Sequence, residues 1–341
     1  MDDSRYMQRA LALAELGRGH VSPNPMVGCV IVHREKIIGE GYHQKYGEAH
    51  AEVNAIASVK DHSLLTECTA YVTLEPCAHQ GKTPPCADLL IEKKLKRVVV
   101  ACRDPFDQVD GKGIEKLEKA GIEVTIGVLE KEAQELNKRF FTSIQKERPY
   151  VILKWAQTSD RFVARENYDS KWISNPYSRQ LVHKWRTEED AILVGKNTAL
   201  HDNPSLTARE WSGKNPFRVL LDSNLEVPKN HNLFNEEAPT LILNSIKEEK
   251  SGNIEWIKTD MNNPWSVLRR LHERKIQSVI IEGGSQTLNS FINEDCWDEA
   301  RIFSSETTFG KGIAAPEIKG EVEREETIFA DQLTIYRNIH G

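Results

Sequence analysis

The run TAYVTLEPCAHQGKTPPCADLLIEKKLKRVVVACRD, residues 69–104, decides the fold of the first half of the chain. TAYVTLE (69–75) reads as a strand that stops at Pro76. PPCADLLIEKK (84–94) opens a helix with proline at its start, where a missing N–H is no loss. RVVVACRD (97–104) reads as a buried strand, because a short apolar run with no polar alternation suits the middle of a sheet covered on both faces. Strand, helix and strand in that order predict a parallel α/β unit. Upstream, MVGCVIVH (26–33) and KIIGEGYH (36–43), joined by the short polar stretch Arg34-Glu35, predict a hairpin. A helix is expected from near His50 through AEVNAIASVK, with Val53, Ile56, Ala57 and Val59 on its inner face. An amphipathic helix precedes them at residues 4–17. Downstream come a helix in GIEKLEKAG, a strand in IEVTIGV, and one long closing helix over 130–147.

Helix-ending charge, Pro149 and the apolar strand YVILKWA (150–156) place a boundary near Lys146–Pro149, giving domains 1–146 and 147–341. The second half alternates again: helix 176–186, strands 191–195, 217–222 and 240–244, helix 264–274, strand 278–284 and helix 285–293. Stretches 161–171 and 224–237 read as loops. No internal repeat is evident.

The composition, 39% hydrophobic and 28% charged, suits a globular protein, and no apolar run reaches the roughly 20 residues a bilayer crossing needs. The acidic start lacks the basic and apolar blocks of a signal peptide, so a cytoplasmic location is expected, with no membrane partner. A net charge of −6 argues against a nucleic-acid partner held by its phosphates. The partner expected is a small-molecule substrate. A homo-oligomer is compatible with the sequence, which leaves the oligomeric state open. Of the six cysteines, Cys29 and Cys102 sit in apolar runs as core residues, and Cys68 and Cys296 have no motif around them. Cys77 and Cys86 need another explanation.

That explanation is a metal. His50, Cys77 and Cys86 supply one imidazole and two thiolates, a set suited to Zn2+, and no fourth ligand is obvious, which favours an open catalytic site over a closed structural one. Helix starts beside the ligands favour thiolate. Glu52, two residues past His50, can move a proton between water and a leaving amine. This is the H-x-E…P-C-x-x-C pattern of zinc base deaminases, except that eight residues, not two, separate the cysteines.

The whole segment Glu75–Cys86, with Ser22-Pro23-Asn24-Pro25-Met26-Val27-Gly28 and Gly47-Glu48-Ala49-His50-Ala51-Glu52, closely resembles the deaminase half of the bifunctional riboflavin biosynthesis family. The resemblance implies a cytidine-deaminase-like three-layer α/β domain. It also implies deamination of 2,5-diamino-6-ribosylamino-4(3H)-pyrimidinone 5′-phosphate, with Asn24, His43, His79, Lys82 and Thr83 on the substrate side.

The second half resembles the reductase half of the same family through KWAQTSD (154–160), SKWIS (170–174), AILVG (191–195) with Thr198, DNPSLTAR (202–209) and IEGG (281–284). It implies a dihydrofolate-reductase-like domain that transfers hydride from NADPH. By this match Lys154, Ser170, Arg186, Leu206, Arg209 and Glu282 contact substrate. Ala156, Trp172, Thr198, Asp202, Ser223 and the turn from Gly284 to Ser285 contact cofactor. Arg186 and Arg209 suit a 5′-phosphate, since guanidinium pairs bidentately with phosphate oxygens. No G-x-G-x-x-G follows a strand, but Gly283-Gly284 ends one and opens a helix whose N–H groups can meet a phosphate.

Three departures bear on the reductase. Arg161 and Asp169 replace usual glycines, and side chains resist positive φ, so this loop is expected to be reshaped. Asp222, acidic at a strand end, can favour NADH by repelling a 2′-phosphate, and NADPH is kept on the resemblance. The alternatives are a nucleoside or tRNA deaminase with an unrelated partner domain, and a structural zinc domain on a nucleotide-binding module. The acidic balance and the insert at Gly81–Pro85 count against the first. A fourth protein ligand and a dispensable Glu52 would mark the second.

Overall fold

Which neighbour each strand residue packs against sets the layers of the first half. In this computed structural model, which describes residues 2–78, 84–106, 111–170 and 173–340, the chain forms two compact units, Met1–Lys146 and Glu147–Gly341. The first contains α1 (Asp3–Glu15), β1 (Gly28–His33), β2 (Lys36–Tyr42), α2 (Ala51–Ala57), β3 (Thr69–Val72), α3 (Cys86–Glu92), β4 (Arg97–Val100), α4 (Lys112–Lys119), β5 (Glu123–Ile126), α5 (Glu130–Leu136) and α6 (Lys138–Lys146). Its sheet runs β2-β1-β3-β4-β5, antiparallel at the hairpin end and parallel from β3 to β5. Cys29, Ile31, Val98 and Val100 pack with α2, α3 and α4, whereas Val30, Val32, Val99 and Ala101 pack with α1, α5 and α6. The period of two along each strand therefore makes a three-layer α/β/α sandwich.

The buried face of α2 is Ala51, Glu52, Ala55 and Ile56, continued by Val59. Val53 is only half-buried and Ala57 is exposed, which corrects the expected inner face. The helix lies directly on β2: a Cβ on Gly41 would meet the Ala55 nitrogen at 2.3 Å. Small residues at this contact displaced the apolar stripe that a hydrophobic count would choose. The closing helix is also two helices, broken at Asn137. The Asn137 side chain accepts from the Met26 N–H (2.8 Å) and donates to the Met26 carbonyl (2.9 Å).

The second unit holds β6 (Tyr150–Gln157), β7 (Phe162–Ala164), α7 (Pro176–Glu188), β8 (Ala191–Gly195), α8 (Lys196–Asp202), β9 (Phe217–Leu221), β10 (Thr240–Asn244), β11 (Glu249–Ser251), β12 (Ile254–Lys258), α9 (Pro264–His272), β13 (Ser278–Ile281), α10 (Ser285–Asn293), β14 (Glu299–Ser304), β15 (Ile313–Ala314), β16 (Gly320–Ile328) and β17 (Asp331–Asn338). Ten strands form one sheet in the order β11-β12-β10-β9-β8-β13-β6-β14-β17-β16, parallel from β12 to β14. Helices α9 and α10 cover one face, and α7 and α8 the other. β7 lies inside the stretch read as a loop. It pairs with β15, a partner 150 residues away that no local pattern reveals. Among the described residues no helix is long and apolar enough to cross a membrane.

Candidate functional sites

In the first unit the ligand candidates converge where two helices begin. His50 precedes α2 in an extended conformation, and Cys86 is the first residue of α3, entered through Pro85. Their Nδ1 and Sγ atoms are 3.2 Å apart, and the Cys77 Sγ is 3.7 Å from the same nitrogen. Tetrahedral zinc with bonds of about 2.0–2.3 Å separates its ligand atoms by about 3.5 Å, so the three groups already stand at coordination spacing. The Cys86 N–H donates to the Cys77 sulfur (3.3 Å). The Cys86 thiol and His50 together hold Cys77 well below its usual value, at about 4, so this sulfur is a ready thiolate. Among the described residues no fourth His, Cys, Asp or Glu joins the cluster. The donor set fits a zinc ion with one position left open.

Glu52 is buried beside this cluster, 3% exposed. Burial first, and then the negative charge at Cys77, push its carboxyl up to about 7. A carboxyl poised near neutrality can both take and give a proton. Asn24 and His43 form one chain with the ligand loop. The His43 Nδ1–H donates to the Ala49 carbonyl (3.1 Å), leaving Nε2 to accept from the Asn24 amide (3.2 Å). His43 is 2% exposed with both ring nitrogens engaged, and it meets His50 edge-on at 5.5 Å, so it supports Asn24 from behind the metal ligand's ring. His79, Lys82 and Thr83 lie outside the described residues, as does Trp172 of the second unit.

The structure adds Glu75, quoted in the motif but given no role by the sequence. Its buried carboxylate accepts from the N–H groups of Gly111 (3.0 Å), Gly113 (2.9 Å) and Ile114 (3.3 Å), capping α4. A Cβ on Gly113 would meet the Pro76 carbonyl at 2.0 Å. The helix is thus clamped against the residue that joins Glu75 to Cys77. Capping contacts 36 to 39 residues apart leave no local signal.

In the second unit a cleft of about 980 Å³ opens at the carboxyl ends of the parallel strands β6, β8, β9 and β13. Ligands in open α/β sheets bind at this edge. Its wall includes Lys154, Ala156, Ser170, Arg186, Thr198, Asp202, Leu206, Arg209, Ser223, Glu282, Gly284 and Ser285, which brings together every described residue that the sequence placed in the reductase site. Arg186 pairs with Glu282 (2.9 Å) and donates to the Thr207 carbonyl (3.0 Å). The Arg186 Nε and the Glu282 Oε1 are buried without a hydrogen-bond partner, two groups positioned for a ligand. Arg209 is exposed. Ser170 donates to Asp202 (3.2 Å). Burial holds the Lys154 ammonium below its ordinary value, and the charge of Glu282 opposes that shift. For Glu282 burial works upward, yet Arg186 and Lys154 keep the carboxyl low.

The backbone accommodates the loop departures, and the expectation for Asp222 is corrected. Arg161 adopts φ +64 itself, and its N–H and carbonyl are bonded to Thr158 and Ala315, so the turn survives without glycine. Asp169 does not need positive φ; Tyr168 takes it, at +68. Asp222 does not face the cleft at all. It is 1% exposed, and its two oxygens accept from the N–H groups of Glu226 (3.0 Å) and Val227 (2.8 Å). Cleft residues that the sequence reading missed include Lys196, Asn224 and the stacked rings of Tyr168 and His201. Position just past the end of a parallel strand, one residue for Lys196 and three for Asn224, was the available signal.

A three-layer unit with a His-Cys-Cys centre beside a buried glutamate defines a zinc-type deaminase. A ten-stranded unit with a cleft at its strand ends defines a dihydrofolate-reductase-like reductase. Residues 1–102 match the cytidine and deoxycytidylate deaminase zinc-binding region, and residues 149–331 match the RibD C-terminal domain. The chain is 44% identical over 319 residues to riboflavin biosynthesis protein RibD of Aquifex aeolicus, covering 92% of this chain and 89% of that one. It is 35% identical to RibD of Escherichia coli, covering 91% and 89%. The crystal structure of a diaminohydroxyphosphoribosylaminopyrimidine deaminase/5-amino-6-(5-phosphoribosylamino)uracil reductase from Thermotoga maritima superposes with a TM-score of 0.91 at 40% identity, covering 98% of both chains. The chain belongs to the RibD family, the bifunctional deaminase–reductases of riboflavin biosynthesis.

Proposed function

We propose that residues 1–146 deaminate 2,5-diamino-6-ribosylamino-4(3H)-pyrimidinone 5′-phosphate, and that residues 147–341 then reduce its ribosylamino group to ribitylamino with NADPH. Both steps act on small molecules, in the cytoplasm. The observation that carries this reading is the pairing in one chain of an open His50-Cys77-Cys86 centre beside Glu52 with a cleft holding Lys154, Glu282 and the Gly283-Gly284 turn.

His50, Cys77 and Cys86 would hold zinc, which would supply a Lewis acid that lowers the pKa of water. Glu52 takes a proton from water as the water oxygen bonds to the ring carbon bearing the 2-amino group, and delivers it to that group, whose bond to the carbon breaks as ammonia leaves. His43 fixes the amide of Asn24, so that Asn24 meets substrate in one orientation. His79, Lys82 and Thr83 complete that wall by family likeness.

In the second unit NADPH, when bound, would supply the hydride that C1′ of the sugar receives. The bond from C1′ to the ring oxygen breaks, and that oxygen takes one proton, giving the open-chain alcohol. Lys154, with its lowered proton affinity and Glu282 near it, is the proton donor. Ser170, Arg186, Leu206, Arg209 and Glu282 hold substrate. Ala156, Trp172, Thr198, Asp202, Ser223, Gly284 and Ser285 would hold NADPH, and the N–H groups at the start of α10, which no side chain caps, would suit its pyrophosphate. Mass analysis after incubation with the diaminopyrimidinone phosphate tests both steps. A gain of about one mass unit without NADPH, and about two more with it, is expected for exchange of an amino group for oxygen followed by hydride reduction. An unchanged substrate mass in zinc-replete protein would refute the reading.

A further inference from the structure

We infer that Tyr168 is a positioning residue of the reductase cleft: its ring stacks on His201 and so holds Ser170 in place for the substrate. The inference rests on the reading that Ser170 meets substrate. Tyr168 takes φ +68, a left-handed backbone that favours glycine and strains a bulky side chain. The ring contact supplies a reason for a side chain there. The Tyr168 and His201 rings lie parallel, within 1°, with centroids 4.2 Å apart. Both residues line the cleft, and Tyr168 is 42% exposed, so the stack stands at the cleft rim and not in a core.

The two rings belong to unequal elements. His201 is in the last turn of α8, which is fixed by the buried Ala199 and by Asn203, whose side-chain oxygen and carbonyl accept from the Asn232 N–H (2.8 Å) and side-chain amide (2.7 Å). Tyr168 closes a turn held by its own backbone: its N–H donates to the Arg165 carbonyl and the Arg165 N–H to the Asp169 carbonyl, both at 2.9 Å. Arg165, 4.1 Å over the Phe309 ring, ties the start of that turn to the loop after β14. At the other end two contacts reach α8, the ring stack and the Ser170 hydroxyl donating to Asp202 (3.2 Å). Ser170 is two residues beyond Tyr168, and Asp202 is one beyond His201, so the stack brings the second pair into reach. With its hydrogen directed at Asp202, the Ser170 oxygen offers lone pairs, the acceptor that a sugar hydroxyl of the substrate needs. Without the ring this end of the turn samples other placements, and apparent affinity falls with the fraction of time that Ser170 is in place. The substrate-bound arrangement is the same, so turnover at saturation is spared.

Tryptophan emission of the full chain, titrated with the deaminated product of the first unit, reads binding, and initial rates at saturating NADPH read kcat. Tyr168→Asn removes the ring but places there a residue type that tolerates φ +68. It is expected to weaken binding about three- to tenfold, the scale of one aromatic pair, with kcat within about twofold and the melting temperature unmoved. His201→Ala is expected to weaken binding equally, and the double variant no more than either alone, because each removes the same contact. Tyr168→Phe is expected to bind as the wild type does. Wild-type binding by Tyr168→Asn, additive losses in the double variant, or a loss that falls on kcat or on melting temperature instead would overturn the inference. A wild-type chain that neither binds nor reduces the deaminated product overturns the reading of the cleft, and the inference with it.

Discussion

Replacing Glu75 by glutamine should loosen the zinc centre without touching a ligand. The carboxylate caps three N–H groups of α4 at 2.9–3.3 Å. Glutamine keeps one acceptor oxygen for Gly113 and Ile114, but it turns an amide N–H2 toward the N–H of Gly111. Hydrogen bonds to a charged acceptor contribute about 1.5–3 kcal/mol each, and a negative charge at a helix start adds about 0.3–2 kcal/mol. With two weaker neutral bonds retained, the expected loss is about 2–4 kcal/mol. For a unit of this size that lowers its melting temperature by about 6–12 °C. Because Pro76 stiffens the step from Glu75 to Cys77, zinc should also leave more readily. All seven tryptophans lie in the second unit, so their emission is an internal control. Heating with a zinc-sensitive dye should show metal release at lower temperature in the variant, with the tryptophan transition unmoved. Release at the wild-type temperature would refute the clamp. A matching fall in both signals would show general destabilisation in place of a local one.

Four further outcomes are expected. Glu52→Gln should retain about one zinc per chain and lose ammonia release by about 10² or more, the usual scale for a lost proton-transfer group; metal analysis and an ammonia assay read both. Cys77→Ala should lose zinc while the second unit still reduces the deaminated compound, followed by NADPH consumption. Burial, aided by Arg186 and Arg209, pulls the His183 imidazole down to about 4. The unfolded chain thus binds this proton first, and stability of the second unit should be full above pH about 6.5 and fall by about 2–3 kcal/mol on going down to about 4. Denaturant melts of wild type and His183→Gln across that range check it, the variant losing less. Arg148→Ala should destabilise the same unit by about 3–5 kcal/mol, because Asp298, paired at 2.6 Å and 7% exposed, would keep a buried charge without its cation.

Much of the layer order was legible because strands that are covered on both faces are written as unbroken apolar runs, as in RVVV and AILVG. Helix α10 was read to the residue because glycine precedes it and the apolar spacing is regular. Reading failed where distant partners decide. Asn137 breaks the closing helix for the sake of Met26, 111 residues away. The strand GEVEREETI lies at the sheet edge with most of its residues exposed and none fully buried, so it carries no core pattern. Glu52 is a charged residue on a buried helix face, which hydrophobic counting assigns to solvent. The motif gave it a role in proton transfer but no buried position, which only the fold supplies. Asp222 misled because residue type and strand position do not reveal which way a carboxylate turns.

X-ray absorption at the zinc edge of the full-length wild-type protein tests the centre most directly. Two sulfurs at about 2.3 Å and two lighter atoms at about 2.0–2.1 Å are predicted, one from His50 and one from water. A third sulfur, a second imidazole, or a protein that binds no zinc would contradict it.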